Sequence, residues 1–346
     1  MKTYFTSDYC EGAHPSIMQK LIETNLAQTI GYGEDEFCEE ARSLIKDVCG
    51  LDENSYVQFL VGGTQTNATV ISSILRPYQG VICAETGHIN AHETGAIEHS
   101  GHKVLALPAI DGKINAAQIE DYVMAHFSDE SHEHIVQPGM VYISFPTELG
   151  TIYSKAELTA ISEVCHRFEL PLYIDGARLG YGLMCEECDV NIKEIAQLAD
   201  IFYIGGTKQG ALFGEAVVMK DKELIKDFRY SIKQGGGMLA KGRLLGIQFA
   251  ELFRDGLYFR LSENADNQAA KIRKAFADKG FKFLVASPTN QQFPILTNEQ
   301  IQYFADDFAF EVWKIIDEQH TAVRFCTSWS TTDEQADRLV KAIKQL

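Results

Sequence analysis

The chain is predicted to be an α/β protein: a mostly parallel seven-stranded sheet with helices on both faces, followed by a smaller α+β domain. Three observations predict it. Between residues 56 and 219, short β-branched or aromatic runs alternate with segments of helical period. Strands spaced by helices in this way pair in parallel and are covered on both faces. Past about Gly256 the pattern changes to long helical segments interleaved with short strands, and 346 residues at 45% apolar content can fill one large core and a smaller one.

Taken in order, residues 1–15 read as an irregular, extended segment that must pack on a domain to be ordered. Residues 16–255 form the large domain. Its strands are "YVQFLV", "GVICAE", "KVLALP", "VYISF", "PLYID", "IFYIGG" and "AVVMK", and its connecting helices are typified by "KAELTAISEVCHRF" at 155–168. Residues 256–346 form the small domain, with helical patterns near 264–280 and 298–319 and apolar stretches "KFLVA", "QFPIL" and "AVRFC" between and after them. No repeat or low-complexity linker interrupts this order.

Lys and Arg number 31 against 48 Asp and Glu, a net charge of −17, which argues against nucleic acid or an anionic membrane surface as partner. Any phosphate site must be local. The N-terminus lacks a signal-peptide core, and no uncharged apolar run approaches the roughly 20 residues of a membrane span, so a cytoplasmic location is expected. The eight cysteines are scattered, and Cys83 and Cys165 fall in segments that read as buried, which favours reduced thiols. Cys185 and Cys188 form the one close pair; without a second such pair no metal site is expected.

Three stretches carry chemistry. In "FLVGGTQTNATVISSIL" an apolar strand ends at Gly62-Gly63-Thr64 and a helical pattern begins at once, leaving free backbone N–H groups where an anion can approach. The plain alternative is a tight turn with a threonine cap. In "LPLYIDGARLGYGL", Asp175 ends a strand that should be buried on both faces, so it needs a partner, for which Arg178 is a candidate, or it belongs to a site at the mouth of the sheet. Lys208 follows in "IGGTKQGALFG", with glycines on both sides that suggest close backbone approach; a lysine held near cations or apolar groups becomes a nucleophile toward aldehydes. A phosphate cradle, a carboxylate and an amine on one sheet are what pyridoxal 5'-phosphate requires.

At these residues the chain resembles the threonine aldolases, pyridoxal-phosphate enzymes of the aspartate-aminotransferase fold (fold type I). The likeness runs through "TSD" at 6–8, "GYGED" at 31–35, "GGTQTN" at 62–67, "TGHINAHETGA" at 86–96, "YIDGARL" at 173–179, "GGTKQG" around Lys208, "GGGM" at 235–238 and "VRF" at 323–325. The resemblance implies that Lys208 carries the cofactor's aldehyde, Asp175 pairs with the pyridine nitrogen, Gly63 and Thr64 hold the phosphate, and His88 stacks on the ring. It further implies that Ser7, Arg178 and Arg324 bind the substrate carboxylate, and that His134 lies near the substrate hydroxyl. Tyr32 resembles a residue supplied across a subunit interface, which implies a homodimer or homotetramer with active sites at that interface. His88 and His92, read without the family, are an incomplete metal pair.

Two departures stand out. After "GGGM" relatives usually carry Arg-Gln, whereas this chain has Leu239-Ala240-Lys241. Where many relatives have Asn-Thr-His after the fourth strand, it has Pro146-Thr147-Glu148. The expected substrate is a β-hydroxy-α-amino acid such as threonine, cleaved to glycine and an aldehyde. A β-eliminating lyase or an aminotransferase would use the same three-part site, and a non-catalytic regulatory protein on the same fold is the alternative of another class.

Overall fold

The computed structural model describes residues 2–346. Its centre is a seven-stranded sheet built from all seven predicted runs: β2 (Tyr56–Leu60), β3 (Gln79–Ala84), β4 (Lys103–Leu107), β5 (Gln137–Ser144), β6 (Leu172–Asp175), β7 (Ile201–Gly205) and β8 (Glu215–Met219), in the order β2-β8-β7-β6-β5-β3-β4. Only β8 runs against its neighbours β2 and β7. Side chains alternate between two buried faces, as period-two strands demand. In β7, Phe202 and Ile204 enter one core; Ile201 and Tyr203 enter the other.

One face is covered by α2 (Glu36–Cys49), α6 (Ala116–Ser128), α7 (Lys155–Arg167), α9 (Ile192–Leu198) and α11 (Arg243–Phe253), which contribute Ile45, Val123, Ile161, Ile195 and Phe249. The other face is covered by α3 (Gly63–Ile74), α5 (Ala96–His99) and α10 (Phe228–Gln234), through Val70, Ile97 and Ile232. Local chemistry sets the helix starts. In α7 the Ser154 hydroxyl accepts from the Glu157 N–H while the Glu157 side chain accepts from the Ser154 N–H, a reciprocal cap.

The C-terminal region packs α12 (Leu257–Asp278), α13 (Asn298–Ala305) and α14 (Asp333–Gln345) on an antiparallel sheet in which β10 (Ile295–Thr297) and β12 (Glu311–Ile315) flank β13 (His320–Cys326), with β9 (Gln291–Gln292) also paired to β13. The helix expected over 298–319 stops at Ala305. The residues after it form β11 (Phe308–Ala309) and β12. The Asp317 carboxylate accepts from the Gln319 and His320 N–H groups, folding the chain back so that Ile315 pairs with Thr321. "KFLVA" also forms no strand, only a bridge from Phe283 to Pro294.

The N-terminal segment is ordered by this region. β1 (Thr3–Tyr4) pairs in parallel with β11, Phe5 enters a phenylalanine-rich core with Phe276, Phe304 and Phe325, and the Cys326 N–H donates to the Phe5 carbonyl at 2.8 Å. Residues 6–8 are thereby carried to the edge of the large sheet. Among the described residues no helix is long and apolar enough to cross a membrane.

Candidate active site

At the carboxyl ends of the parallel strands lies a cavity of about 300 Å³ whose wall includes Gly63, Thr64, His88, Asp175, Arg178 and Lys208. Six of the predicted site residues thus meet in one place, at the sheet edge where ligands of open α/β sheets bind.

The anion cradle is the start of α3. Gly62 is the N-cap in extended backbone and no side chain caps the helix; the first helical bond runs from Thr66 N–H to the Gly62 carbonyl. The N–H groups of Gly63, Thr64 and Gln65 therefore have no partner among the described residues, and Gly63 and Thr64 bring this positive helix terminus to the cavity wall. Thr64 is not the cap, so the plain reading of this turn does not hold. A Cβ on Gly63 would stand 3.2 Å from the Tyr203 hydroxyl, leaving little room for a larger residue.

Asp175 ends β6 and is buried. Its Oδ1 accepts from the Tyr203 hydroxyl at 2.5 Å and the Ala177 N–H at 3.0 Å; its Oδ2 accepts from the Tyr142 hydroxyl at 2.6 Å and the Asn67 amide at 3.0 Å. Burial pushes its pKa up, but the nearby His88 and these donors prevail and hold it below the ordinary carboxylate range. Tyr142, Tyr173 and Tyr203 form a row across β5, β6 and β7 on this face, and the Tyr173 hydroxyl holds the Asn67 side-chain oxygen at 2.8 Å. The floor of the site is thus an ionised carboxylate in a polar frame.

Lys208 sits on the turn between β7 and β8. Burial and the neighbouring Arg178 lower its pKa, against the pull of Asp8, Asp175 and Glu215. The Tyr181 hydroxyl donates to its carbonyl at 2.5 Å. The glycines before it serve the sheet edge, since a Cβ on Gly205 would meet the Ala177 carbonyl oxygen at 2.4 Å. Glu215, opposite Gly205 in the sheet, accepts from the Thr207 hydroxyl at 2.9 Å, and burial raises its pKa to about 8.

Arg178 is not the partner of Asp175. Its Nε and Nη2 donate to the two oxygens of Asp8 at 2.6 and 3.0 Å, and the Asn290 amide adds a bond to Asp8 at 2.9 Å. Although burial pushes the Asp8 pKa up, Arg178 and Lys208 bring it down to about 2. Arg178 Nη1 makes no hydrogen bond to the protein. Ser7 and Arg324 stand behind this pair and outside the cavity wall. The Ser7 hydroxyl lies 3.2 Å from the Cys10 sulfur, and Arg324 binds the Thr6 carbonyl, Gln291 and Glu311 under the Trp313 ring.

His88 opens the short helix α4 (His88–Ala91). Its Nδ1 is 2.8 Å from Glu93 Oε1, which also accepts from Asn67 at 2.8 Å, so Asn67 bridges His88's partner and Asp175. Burial lowers the His88 pKa, but the Glu93 hydrogen bond and the Asp175 charge outweigh it and raise it. The His92 ring stands 5.6 Å from that of His88 and 6.2 Å from Trp313.

Two predicted residues lie elsewhere. His134 is exposed in a single turn before β5, and the site lies beyond the other end of that strand, eight residues or about 25 Å away; it is corrected to a residue outside this chain's cavity. Tyr32 is 45% exposed, with Lys233 over its ring at 4.8 Å, and is also absent from the cavity wall. The sequence reading missed Asp8, Asn67, Glu93, Tyr142, Tyr203 and Glu215 as site residues. Asp8, Asn67 and Glu93 lie inside the quoted motifs, and their polarity beside buried strand ends was the available signal.

Residues 5–298 match the beta-eliminating lyase family. The chain is 28% identical over 346 residues to the low-specificity L-threonine aldolase of Pseudomonas aeruginosa, covering 98% of this chain and 96% of that protein. The threonine aldolase structure from Leishmania major is 41% identical, with a TM-score of 0.95 over 99% of this chain and 98% of that one. An aspartate aminotransferase from Thermus thermophilus, at 13% identity and TM-score 0.70 over 99% of this chain and 91% of its own, shares the fold alone. An uncapped helix terminus, an ionised buried carboxylate and a lysine pushed toward neutrality are the three groups that pyridoxal phosphate needs, and they stand here on the fold of its enzymes: the chain belongs to the beta-eliminating lyase family, as a pyridoxal-phosphate-dependent lyase of fold type I.

Proposed function

We propose that the protein cleaves β-hydroxy-α-amino acids of the L-threonine and L-allo-threonine type into glycine and an aldehyde. The observation that carries this reading is the meeting of Lys208 and ionised Asp175 in one cavity, in a chain whose kinship lies with threonine aldolases along its whole length.

Pyridoxal phosphate, when bound, supplies an aldehyde for the substrate amine and a protonated ring that draws electrons from Cα. Gly63 and Thr64 hold its phosphate with N–H groups that no other residue uses. Asp175 keeps the proton on the ring nitrogen, and its four donors fix the carboxylate in place. His88 closes one face of the ring, oriented by Glu93. Lys208, pushed toward its neutral form, is the amine that would hold the cofactor through its aldehyde.

Arg178 presents Nη1 to the substrate carboxylate while Asp8 fixes its other edge. Ser7 and Arg324 complete the clamp once Arg324 exchanges the half-exposed Glu311 for the substrate. A substrate held by its carboxylate would have the orientation of its Cα bonds fixed by these residues, which is how the clamp would select the bond that breaks.

A homodimer or homotetramer with shared active sites is supported by Tyr32, which lies outside its own cavity, and by the exposed Ile22, Leu26 and Ile30 in the segment before it. Eight unpaired cysteines support a reducing, cytoplasmic setting. The test is the visible absorption spectrum of protein reconstituted with pyridoxal phosphate, before and after L-threonine and glycine, with aldehyde assayed in the same cuvette. A band that responds to both, with aldehyde release from threonine, is expected. Ammonia and a keto acid in place of glycine and aldehyde would replace the reading with elimination, and absence of any band would overturn it.

A further inference from the structure

Two carboxylates in the cavity wall, Glu148 and Glu215, have no part in that scheme. Glu215 Oε2 is enclosed by protein without a partner. Glu148 is different. Its Oε1 is fixed by two donors, the His88 N–H at 2.9 Å and the Ser144 hydroxyl at 2.6 Å, the carboxylate also accepts from Glu148's own N–H, and among the described residues Oε2 bonds to no other. The side chain is otherwise buried and lines the cavity, so its orientation is set and Oε2 is the oxygen left for a ligand.

Resting on the aldolase reading, we infer that Glu148 is the catalytic base that takes the β-hydroxyl proton as the Cα–Cβ bond breaks. His134 lies beyond the far end of β5. His88 keeps only Nε2 free, Nδ1 being bound to buried Glu93, and in this scheme its imidazole already covers the cofactor ring. Lys208, released by amine exchange, is left to serve Cα, where the glycine proton is added.

In the step, the substrate O–H bond breaks and its proton bonds to Glu148 Oε2. The O–H electron pair becomes the second bond of the aldehyde C=O, and the Cα–Cβ pair stays with Cα. A proton then adds to Cα to give glycine, and Glu148 loses its proton to solvent, so hydrogen moves from hydroxyl to Cα with no redox change. Burial makes the carboxylate a stronger base than one in water, the Ser144 bond and His88 pulling the other way. Facing it are His88 of α4, Asp175 of β6, Tyr142 of β5, Cys83 of β3 and Tyr153 ahead of α7.

The test separates two reactions of the cofactor-loaded enzyme: cleavage of L-threonine, which needs a base at the hydroxyl, and exchange of the glycine α-proton with deuterated solvent, which does not. Glu148→Gln is expected to bind glycine with an unchanged spectral titration, exchange its α-proton within threefold of the parent, and cleave threonine on the order of 10²-fold more slowly or worse. Glu148→His is expected to restore at least tenfold over Gln, with the acid limb of kcat/KM moved to higher pH. The unaltered enzyme should show an acid limb for cleavage that its exchange profile lacks, and cofactor-free protein should show one carboxylic-acid infrared band that fades as pH rises through that limb and is missing in Glu148→Gln. Parallel loss of exchange and cleavage, cleavage within threefold of the parent, or no acid limb specific to cleavage would each overturn the assignment. If the unaltered enzyme shows the absorption band and glycine exchange yet releases no aldehyde from any β-hydroxy amino acid, the aldolase reading itself fails and takes this one with it.

Discussion

Asp8 holds Arg178 along one edge, Oδ2 lying 2.6 Å from Nε and Oδ1 3.0 Å from Nη2, and Arg178 lines the cavity with Nη1 outside that pair. The residue expected to bind substrate is thus already oriented by a residue 170 positions earlier. Asp8 is buried, and so the pair stands as a fixed feature of the site floor rather than a surface ion pair.

Removing that pair has a defined signature. The Asp8 pKa is lowered from 3.8 to about 2, so the stability it contributes is fully present above about pH 4 and is lost as pH falls toward 2. Asp8→Asn is expected to cost about 3–5 kcal/mol in urea unfolding at pH 7, by leaving Arg178 uncompensated, and to narrow its difference from the parent over that acid window. KM for the amino acid should rise more than kcat falls. A variant as stable as the parent at pH 7 would show that the pair is dispensable.

Asp175→Asn keeps the shape and removes the charge that four donors surround. Lys208 remains, so the protein should still develop the visible cofactor band. Its kcat should fall on the order of 10²–10³-fold, the range for losing one preorganised charge partner. Lys208→Ala should give neither the band nor turnover.

Glu93→Gln tests the support of His88. Because Glu93 raises the His88 pKa, the variant's imidazole should titrate at lower pH, read by NMR of the ring protons. A group with a raised folded pKa stabilises most at low pH and loses that contribution as pH rises through the folded pKa. The parent's extra stability over Glu93→Gln should therefore shrink with rising pH across the His88 titration. An unmoved titration would remove Glu93 from this role.

Gly176→Ala places a Cβ 1.9 Å from the Tyr203 carbonyl oxygen, and the Gly205 N–H to Gly176 carbonyl bond at 2.9 Å lies beside it. Backbone on both sides cannot yield cheaply. The substitution should cost at least about 1–3 kcal/mol and weaken cofactor binding, since Asp175 and Ala177 flank it. Chemical denaturation and a cofactor titration would check both.

The strands were legible because each carries a dense β-branched or aromatic run between breakers, and burial on both faces suppresses ambiguity. The stretch 308–319 was not, because "FAFEVWKI" has apolar residues enough for either period, and what decides it is the Asp317 turn and pairing with β13. Gly63, Thr64, Asp175 and Lys208 were legible as strand-end chemistry. Their partners were not: Asn67 reaches Asp175 across 108 positions, and nothing local in "YIDGAR" tells that Arg178 turns to Asp8 rather than to Asp175. His134 was misplaced because an expected role carried no information about which end of β5 it occupies.

The pairing of β1 with β11 bears on how the molecule is made. Asp8 leaves the ribosome 282 residues before its anchor Asn290 and long before the strands β11 and β13 that seat Thr3 to Phe5. The large sheet can form while translation continues, but Arg178 lacks the anchored Asp8 until Asn290, β11 and β13 emerge and draw residues 3–8 back across the molecule. A nascent chain therefore gains the Asp8–Arg178 pair only after β13 has been made, and a product truncated before β13 would fold much of its core without it.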